Sequence, residues 1–324
     1  MRKGQIVIVT LVCVLSLVGC SSALESNTDE LKEVTQVVNW FAQPAHGGQY
    51  AALAKSFYEE AGLDMEIEQG GPQVSPTQMV VSGQVEFGMT QGDDFLIAID
   101  QGLPLVAVAS ITQVYPQAFA YHKGQGISDF SDLNGRTVWV TPGAAYWHYL
   151  TGQYDLDGVE LMSHTGSSTS FIADETSVIQ IYETIEPFDF AKEGIEIETL
   201  SIADSGYNPY MHVLITTEQF LNENPEQVEA FVQASVKGWN YYKENPDEIN
   251  EILKEVNSDL NMESMKMQAE AQEDYIFTGD AETHGVGYMK IERWQTLHDQ
   301  LLEAGVIENE IDVSKIFTSE YLPK

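Results

Sequence analysis

The stretch Asn39–Tyr50, NWFAQPAHGGQY, decides how the rest of the chain is interpreted. An apolar run ends at Trp40, the paired glycines Gly47 and Gly48 follow, and a helical pattern begins at Gln49. This order predicts a first β-strand, a tight loop and the start of a helix. In an open α/β sheet, ligands bind in the crevice outside the carboxyl ends of the strands, and the free N–H groups of a helix start can bind a polar ligand. We therefore predict that this loop forms one wall of a small-molecule site.

Strand and helix patterns alternate outward from this loop, and the last third of the chain is helical. Alternating side chains and apolar runs predict strands at Val34–Trp40, Leu63–Glu68, Val85–Met89, Leu105–Ile111, Ala118–His122, Thr137–Val140, Ser177–Thr184, Ile195–Ile202 and Met211–Thr216. Helical spacing predicts helices at Gln49–Ala61, Pro76–Ser82, Asp93–Gln101, Pro246–Val256, Met262–Tyr275 and Met289–Ala304, and one between Asn224 and Asn245. The order predicts an α/β fold with right-handed crossovers and a mostly parallel sheet.

The N-terminus has the features of a targeting segment. A basic start is followed by the apolar run Ile6–Val18, which is too short for a typical spanning helix. The run ends in LVGC, a pattern similar to a bacterial lipobox, in which Cys20 would be lipidated. An ordinary secretory signal or an uncleaved anchor is the alternative. We expect residues 1–20 to be a lipoprotein signal peptide and residues 21–33 a tether that holds the protein at the extracytoplasmic face of the membrane.

Composition excludes several functions. The chain has 324 residues with 15 Lys and Arg against 50 Asp and Glu, a net charge of -35, and nucleic-acid binding needs a basic surface instead. Its two cysteines are Cys13 and Cys20, so the folded body has no disulfide, thiolate nucleophile or Cys-ligated metal. The sequence contains no HExxH, G-x-S-x-G or P-loop motif. We expect no catalytic residues, no metal and no cofactor, and ATP hydrolysis would belong to a separate subunit.

Long stretches of the chain resemble one family. They are residues 39–74 (NWFAQPAHGGQYAALAKSFYEEAGLDMEIEQGGPQV), 82–94 (SGQVEFGMTQGDD), 102–117 (GLPLVAVASITQVYPQ), 130–140 (FSDLNGRTVWV) and 203–217 (ADSGYNPYMHVLITT). Together with the lipobox they resemble extracytoplasmic solute-binding proteins of ABC importers. The chain is most similar to the binders of the pyrimidine precursor of thiamine, a family related to the sulfonate, taurine and nitrate binders.

The resemblance implies a two-lobed periplasmic-binding-protein fold with two crossing strands as a hinge and C-terminal helices. Lobe one would comprise residues 34–112 and 204–324, and lobe two residues 113–203. The hinges would lie near Thr112–Pro116 and Ala203–Pro209. The ligand would be enclosed between the lobes, and the partners would be ABC permease and ATPase subunits. We expect a monomer.

Four groups of residues lie where predicted strands lead into loops or helices. They are Trp40, Gln43 and His46; Gln91, Asp93 and Asp94; Tyr146 and Trp147; and Glu186, Tyr207 and Tyr210. Aromatic planes can sandwich a flat heterocycle, and a carboxylate such as Glu186 can accept hydrogen bonds from an exocyclic amine. The resemblance implies such contacts for Trp40, Tyr207 and Glu186, which lie in matching motifs. We therefore predict that these eleven residues bind a thiamine-related aminopyrimidine.

Alternatives remain open at each point. The aromatic residues can be core residues, His46 can close its loop, and Asp93 and Asp94 can be helix N-caps. Riboflavin is a second flat ligand. A sulfonate, taurine or nitrate is less favoured because Arg136 and Arg293 lie outside the predicted cleft loops, although helix N-termini also bind anions. The related pyrimidine synthases carry a Cys-rich motif that is absent here, and a sensor role cannot be separated from transport.

Overall fold

The computed structural model describes residues 31–324, so the signal peptide, Cys20 and most of the tether lie outside the described residues. Its strands are β1 (Lys32–Val37), β2 (Leu63–Glu68), β3 (Phe87–Thr90), β4 (Leu105–Thr112), β5 (Gln117–His122), β6 (Thr137–Val140), β7 (Glu160–Ser163), β8 (Val178–Tyr182), β9 (Ile197–Ser201) and β10 (Met211–Thr217). Its helices are α1 (Gly47–Ala54), α2 (Phe57–Glu60), α3 (Pro76–Val81), α4 (Gly92–Asp100), α5 (Ala145–Gln153), α6 (Thr169–Ala173), α7 (Glu186–Lys192), α8 (Glu218–Glu223), α9 (Pro225–Glu244), α10 (Pro246–Val256), α11 (Met262–Ala271), α12 (Glu273–Ile276), α13 (Asp280–His284) and α14 (Ile291–Glu303).

Two five-stranded sheets form the centres of two lobes. The first has the order β2-β1-β3-β10-β4 and the second the order β7-β6-β8-β5-β9. In the first sheet β1 runs parallel to β2 and β3, but β10 runs antiparallel to β3 and β4. In the second, β6 is parallel to β7 and β8, but β5 is antiparallel to β8 and β9. The prediction of a mostly parallel sheet is therefore wrong, because the strands that enter or leave a lobe run against their neighbours.

The chain crosses between the two sheets twice. It leaves the first sheet at Thr112, enters the second at Gln117, leaves it at Ser201 and returns at Met211. We call the two connecting segments, residues 113–116 and 202–210, the hinge. Strands β1 and β3 run parallel in the first sheet, and β6 and β8 run parallel in the second. Loops or helix starts follow their carboxyl ends, so polar side chains at these positions are candidates for a shared cleft.

The glycine pair after the opening loop serves packing. Both glycines lie inside α1, and a Cβ atom at Gly47 would clash with the ring of Tyr242, whereas one at Gly48 would clash with the ring of Trp239. The absence of Cβ atoms at these two positions therefore allows α1 to pack closely on α9. The predicted helix over Gln49–Ala61 is also interrupted, since Ser56 has a left-handed backbone (φ 57°) between α1 and α2.

The sequence patterns did not predict several short elements, among them β7, α6, α7 and α8. Strand β7 has four exposed residues, so it lacks the alternation that marks a half-buried strand.

No helix within residues 31–324 combines the length and apolar character needed to cross a membrane. Apolar side chains around the hinge belong to one continuous core that includes Phe95 of lobe one and Phe119 of lobe two.

Candidate ligand-binding site

Helix α4 places two carboxyl groups at the carboxyl end of β3. Gln91 is the N-cap residue, and Asp93 and Asp94 lie in the first turn, so the interpretation of these aspartates as N-caps is wrong. Asp93 is 4% exposed, and its two oxygens accept hydrogen bonds from the Asp94 backbone N–H (3.0 Å) and the Tyr207 hydroxyl (3.0 Å). Asp94 remains in contact with solvent, and its Oδ2 accepts a hydrogen bond from Gln91 Nε2 (3.4 Å). The start of α4 thus carries one satisfied carboxyl and one that is still accessible.

Lobe two contributes a third carboxyl group. Glu186 is the first residue of α7, directly after the loop that follows β8. One of its oxygens, Oε2, accepts a hydrogen bond from the backbone N–H of Tyr182 (2.8 Å). Nearby, Gln180 Oε1 accepts hydrogen bonds from the Tyr146 hydroxyl (2.9 Å) and from the Thr141 hydroxyl (2.7 Å). These bonds fix the side chains at the end of β8.

A glutamine joins the two lobes. Gln117 begins β5, and its Nε2 lies 3.3 Å from Gln91 Oε1 of lobe one and 2.9 Å from the Tyr182 hydroxyl of lobe two. Its Oε1 is buried and has no hydrogen-bond partner within residues 31–324. We use the name carboxyl cluster for Asp93, Asp94 and Glu186 together with Tyr115, Tyr146, Tyr182 and Tyr207. The cluster draws on α4, the hinge, α5, β8 and α7, so both lobes build it.

The electrostatics of the carboxyl cluster favour neutral carboxyl groups. Burial raises the pKa of Glu186 to about 7. Partial loss of solvation, and in second place repulsion from the charge of Asp93, raise the pKa of Asp94 to about 7 as well. Burial also raises the pKa of Asp93, against the lowering effect of the hydrogen bond from Tyr207. Within the part of the chain that the structure describes, no ion pair involves these carboxyl groups. The cluster therefore offers acceptors and exchangeable protons, and it lacks a cation for an anionic ligand.

The predicted residues of the opening loop lie apart from these hydrogen bonds. Trp40 is 42% exposed, and its ring packs edge-on against Phe41 at 5.7 Å. Gln43 is half-buried and precedes a short 3₁₀ turn, in which its carbonyl oxygen accepts a hydrogen bond from His46 N (2.9 Å). Contact of Trp40 or Gln43 with a ligand stays a prediction.

His46 belongs to a second buried group, which we call the histidine pair, His46 and His212. His46 is fully buried, its Nε2 lies 2.9 Å from Asn39 Oδ1, and its ring lies 6.1 Å from that of His212. Nδ1 of His212 lies 2.8 Å from the Thr112 hydroxyl. Burial lowers the pKa of His46 to about 3 and that of His212 to about 4, so both are neutral near pH 7. His46 is therefore held within lobe one, and the structure does not join it to the carboxyl cluster.

Trp147 and Tyr210 take part in packing. Trp147 is 9% exposed and lies edge-on to Phe119 at 6.1 Å. Tyr210 is 1% exposed, and its hydroxyl accepts a hydrogen bond from the Lys290 backbone N–H (2.8 Å). Of the eleven predicted residues, the structure thus brings Gln91, Asp93, Asp94, Tyr146, Glu186 and Tyr207 together. It leaves His46, Trp147 and Tyr210 buried and Trp40 and Gln43 in the opening loop.

Arg293 lies on α14, one of the C-terminal helices, and its side chain reaches the hinge. Its Nε donates to the Asn208 carbonyl oxygen (2.8 Å), and its Nη2 donates to Asn208 Oδ1 and the Pro209 carbonyl oxygen (2.9 Å each). Its Nη1 donates to the Gln113 carbonyl oxygen, so one guanidinium joins both hinge segments. The guanidinium also stacks on the ring of Tyr210 at 4.0 Å, and burial lowers its pKa to about 10. The guanidinium N–H groups already donate to backbone carbonyl oxygens and to Asn208 Oδ1, so Arg293 is poorly suited to bind an anion.

Sequence reasoning missed Tyr115, Gln117 and Tyr182. Tyr115 precedes Pro116 in the first hinge segment, and its ring lies 5.9 Å from that of Tyr207. Tyr182 ends β8, and Gln117 begins β5. All three stand at strand ends beside the predicted hinge or cleft, so position along the chain was the signal that could have identified them.

The C-terminal helices also contact lobe two. The Tyr275 hydroxyl donates to Glu183 Oε2 (3.0 Å), and the Ser264 hydroxyl donates to Asp189 Oδ1 (3.1 Å). These bonds join α11 and α12 to lobe two. Residues 31–324 contain no group of three or more His, Cys, Asp or Glu side chains arranged to hold a metal ion.

Comparison with known proteins identifies the family. The profile of the NMT1/THI5-like family matches residues 43–249, more than half of the chain. Riboflavin-binding protein RibY of Chloroflexus aurantiacus is 27% identical over 308 residues, which cover 90% of this chain and 87% of that protein. The formylaminopyrimidine-binding protein of Halalkalibacterium halodurans is 27% identical over 329 residues, covering 95% and 98%. A 4-amino-5-hydroxymethyl-2-methylpyrimidine phosphate synthase of Legionella pneumophila is 22% identical over 302 residues, covering 90% and 92%.

Solved structures share the fold. A periplasmic sulfonate-binding protein SsuA from Methylobacillus flagellatus superimposes with a TM-score of 0.68 at 13% identity, covering 90% of this chain and 93% of that one. A Candida albicans protein described as having the generic periplasmic binding protein fold superimposes with a TM-score of 0.64 at 14% identity, covering 89% and 97%. The chain therefore belongs to the NMT1/THI5-like family, and it has the two-lobed periplasmic-binding-protein fold.

Proposed function

We propose that this solute-binding protein captures a small, flat nitrogen heterocycle between its lobes, a thiamine-related aminopyrimidine first, and delivers it to the permease of an ABC importer. The observation that carries this proposal is the carboxyl cluster, in which both lobes supply hydrogen-bond acceptors and no protein cation neutralises the carboxyl groups. An aminopyrimidine has an exocyclic amine that donates hydrogen bonds and ring nitrogens that accept them, so it complements carboxyl groups in either protonation state.

Glu186 is the proposed partner of the exocyclic amine. Its Oε2 is held by the Tyr182 backbone N–H (2.8 Å), which orients the carboxyl group and leaves Oε1 for the ligand. The buried tyrosines Tyr146 and Tyr207 and the exposed ring of Trp40 supply flat surfaces for the heterocycle. The relatives named for riboflavin and formylaminopyrimidine support a flat ring as ligand.

Riboflavin is the second candidate, because one relative is named for it at the same identity as the formylaminopyrimidine binder. Its imide N–H would also donate to a carboxylate. An anion such as taurine, sulfonate or nitrate is disfavoured because the donors of Arg293 are used within the hinge. Synthesis of the pyrimidine is disfavoured because the chain has no cysteine after Cys20.

The cellular setting is part of the proposal. The LVGC sequence that ends at Cys20 supports a lipid-anchored, extracytoplasmic protein, as expected for a binding protein that serves a permease. The two sheets, together with the crossings at residues 113–116 and 202–210, support lobe boundaries near residues 112, 113, 203 and 204. Hinge closure around the ligand would then present a closed form to the permease.

Thermal unfolding with a ligand panel tests the proposal. The chain without residues 1–20 is melted with 4-amino-5-hydroxymethyl-2-methylpyrimidine, riboflavin, taurine or nitrate. A ligand at about 100 times its Kd adds about 2.7 kcal/mol to the free energy of unfolding, so the melting temperature rises by several degrees. We expect the aminopyrimidine to give the largest shift and Glu186→Gln to reduce it. A shift with taurine or nitrate alone would show that the proposal is wrong, and mass spectrometry of the recovered pyrimidine tests for any chemical conversion.

A further inference from the structure

Asp94 stands at the end of a hydrogen-bonded chain that crosses from lobe one to lobe two. Gln91 Nε2 donates to Asp94 Oδ2 (3.4 Å), Gln117 Nε2 donates to Gln91 Oε1 (3.3 Å), and the same Gln117 amide contacts the Tyr182 hydroxyl (2.9 Å). Gln117 is 4% exposed, and its Oε1 has no partner within the described residues. A buried acceptor without a donor costs free energy, so this oxygen is available for an N–H group of a ligand.

The titratable groups that face Asp94 are acidic or phenolic. Asp93 precedes it on α4, Tyr207 comes from the hinge, Tyr182 comes from β8, and Glu186 interacts with Tyr182 from the start of α7. No ion pair in residues 31–324 involves Asp94. The protein thus supplies no positive charge to hold Asp94 in its ionised form, and a positively charged ligand would do so.

We propose that Asp94 and the ligand share one proton, so that a weakly basic nitrogen heterocycle is bound as a protonated ring opposite an ionised Asp94, with a further N–H group donated to Gln117 Oε1. This inference rests on the proposed function, since it concerns the same cleft. It narrows the ligand class to bases whose ring nitrogen titrates near neutral pH. A neutral imide such as riboflavin, or a permanent anion, cannot bring the shared proton.

The proton balance determines how affinity depends on pH. At alkaline pH the free Asp94, whose pKa is raised to about 7, has lost its proton and the free base is neutral. Binding must then take up one proton from solution, so affinity falls about tenfold per pH unit. At acidic pH both partners carry a proton before they meet, one proton is released on binding, and affinity falls again. Affinity therefore peaks near neutral pH.

Isothermal titration calorimetry counts these protons directly. The chain without residues 1–20 is titrated with 4-amino-5-hydroxymethyl-2-methylpyrimidine between about pH 5 and pH 9, in two buffers with different ionisation enthalpies. We expect uptake of about one proton per ligand near pH 8.5 and maximal affinity near pH 7. Asp94→Asn should lose the alkaline decline in affinity. Glu186→Gln should bind more weakly throughout and keep that decline.

Each outcome separates this inference from the proposed function. Measurable binding without proton uptake would overturn the shared proton, as would an alkaline decline that persists in Asp94→Asn and disappears in Glu186→Gln. Absence of pyrimidine binding at every pH would instead contradict the proposed function. Circular dichroism verifies that both variants fold, and if Asp94→Asn does not, the proton count of the unsubstituted chain in the two buffers decides the question.

Discussion

The carboxyl cluster and the histidine pair are both sets of titratable groups with shifted pKa values beside the hinge, but they are built from different parts of the molecule. Partial loss of solvation raises the pKa of Asp94 and Glu186 to about 7, and burial lowers that of His46 to about 3 and that of His212 to about 4. Both shifts favour the neutral form of the group. The carboxyl cluster draws on both lobes, whereas the histidine pair draws on the opening loop and on the ends of β4 and β10, all within lobe one.

This difference shows that burial alone does not mark a binding site. The histidines are bonded to Asn39 and Thr112 of the same lobe, so their burial contributes to the fold of that lobe. Motion of the lobes would alter the carboxyl cluster, because Gln91 of lobe one and Gln117 at the start of β5 meet there. A ligand between the lobes would therefore act on the carboxyl cluster and leave the histidine pair unaffected.

The largest expected effect comes from Arg293, which joins the two hinge segments. Arg293→Ala removes the hydrogen bonds that join Gln113 to Asn208 and Pro209 across the hinge. Because hydrogen bonds from a charged donor are worth about 1.5–3 kcal/mol each, we expect a loss of at least 3 kcal/mol in the free energy of unfolding, measured by urea denaturation.

Arg136→Ala is the matched control for Arg293→Ala. Arg136 bonds to neighbouring groups of lobe two, including the Asp132 carbonyl oxygen (2.9 Å), and touches no hinge residue. Its loss should cost about 1 kcal/mol or less. Equal losses for the two arginines would contradict the assignment of Arg293 to the hinge.

The second-largest effect concerns Glu186 of the carboxyl cluster, where a substitution that weakens ligand binding should increase stability. The pKa of Glu186 is about 7 in the folded protein and 4.5 in the reference state, so the folded state binds more protons between these values and loses stability as pH rises through them. Glu186→Gln should therefore raise the free energy of unfolding by about 2 kcal/mol at pH 8 and have little effect near pH 4. Urea denaturation at both values tests this, and a loss of stability at pH 8 would contradict it.

The histidine pair should show the opposite dependence on pH. The folded pKa values of His46 and His212 lie below the reference value of 6.5, so the unfolded state binds more protons below that value. Stability should fall by about 1.4 kcal/mol per pH unit for each histidine as pH drops from about 6 toward 4. His212→Asn should remove one such contribution, because Asn does not titrate in this pH range. Asn is chosen because it tolerates the left-handed backbone at this position (φ 51°). Urea denaturation at pH 5 and pH 8 measures the effect, and an unchanged pH dependence in the variant would refute it.

The smallest effect concerns the exposed aromatic residues of the opening loop. Trp40 and Phe41 are 42% and 47% exposed, so alanine at either position should change stability by about 0.5 kcal/mol or less. If Trp40 stacks on the ligand as predicted, Trp40→Ala should weaken aminopyrimidine binding by about threefold to tenfold in calorimetry. Phe41→Ala serves as its control, and equal affinities for both variants would remove Trp40 from the site.

Much of the fold followed from the sequence, because each element with a strong local pattern was predictable. Strand β2 and helix α10 were predicted at the same bounds, since alternation and amphipathic spacing are local properties. The antiparallel course of β5 and β10 was not predictable, because pairing between distant strands depends on how the chain returns through the hinge. The role of Gly47 was also hidden, since it depends on the ring of Tyr242 far along the chain.

The candidate site was predictable to a lesser degree. Residues at the helix starts that come after a strand, such as Asp93 and Glu186, were found because strand ends mark the cleft of an α/β sheet. Gln117 was missed because it lies at a strand start, and its partners Gln91 and Tyr182 come from two other parts of the chain. Whether an aromatic residue faces a ligand or the core, as for Trp147, depends on packing that a local pattern does not record.

A crystal structure of the chain without residues 1–20, grown with 4-amino-5-hydroxymethyl-2-methylpyrimidine, tests the central claim most directly. We expect the ring between the lobes, with its exocyclic amine within about 3 Å of a Glu186 oxygen and an N–H group directed at Asp94 or Gln117 Oε1. A pyrimidine bound outside the cleft, or one whose polar atoms contact none of these three residues, would contradict the assignment of the carboxyl cluster as the ligand-binding site.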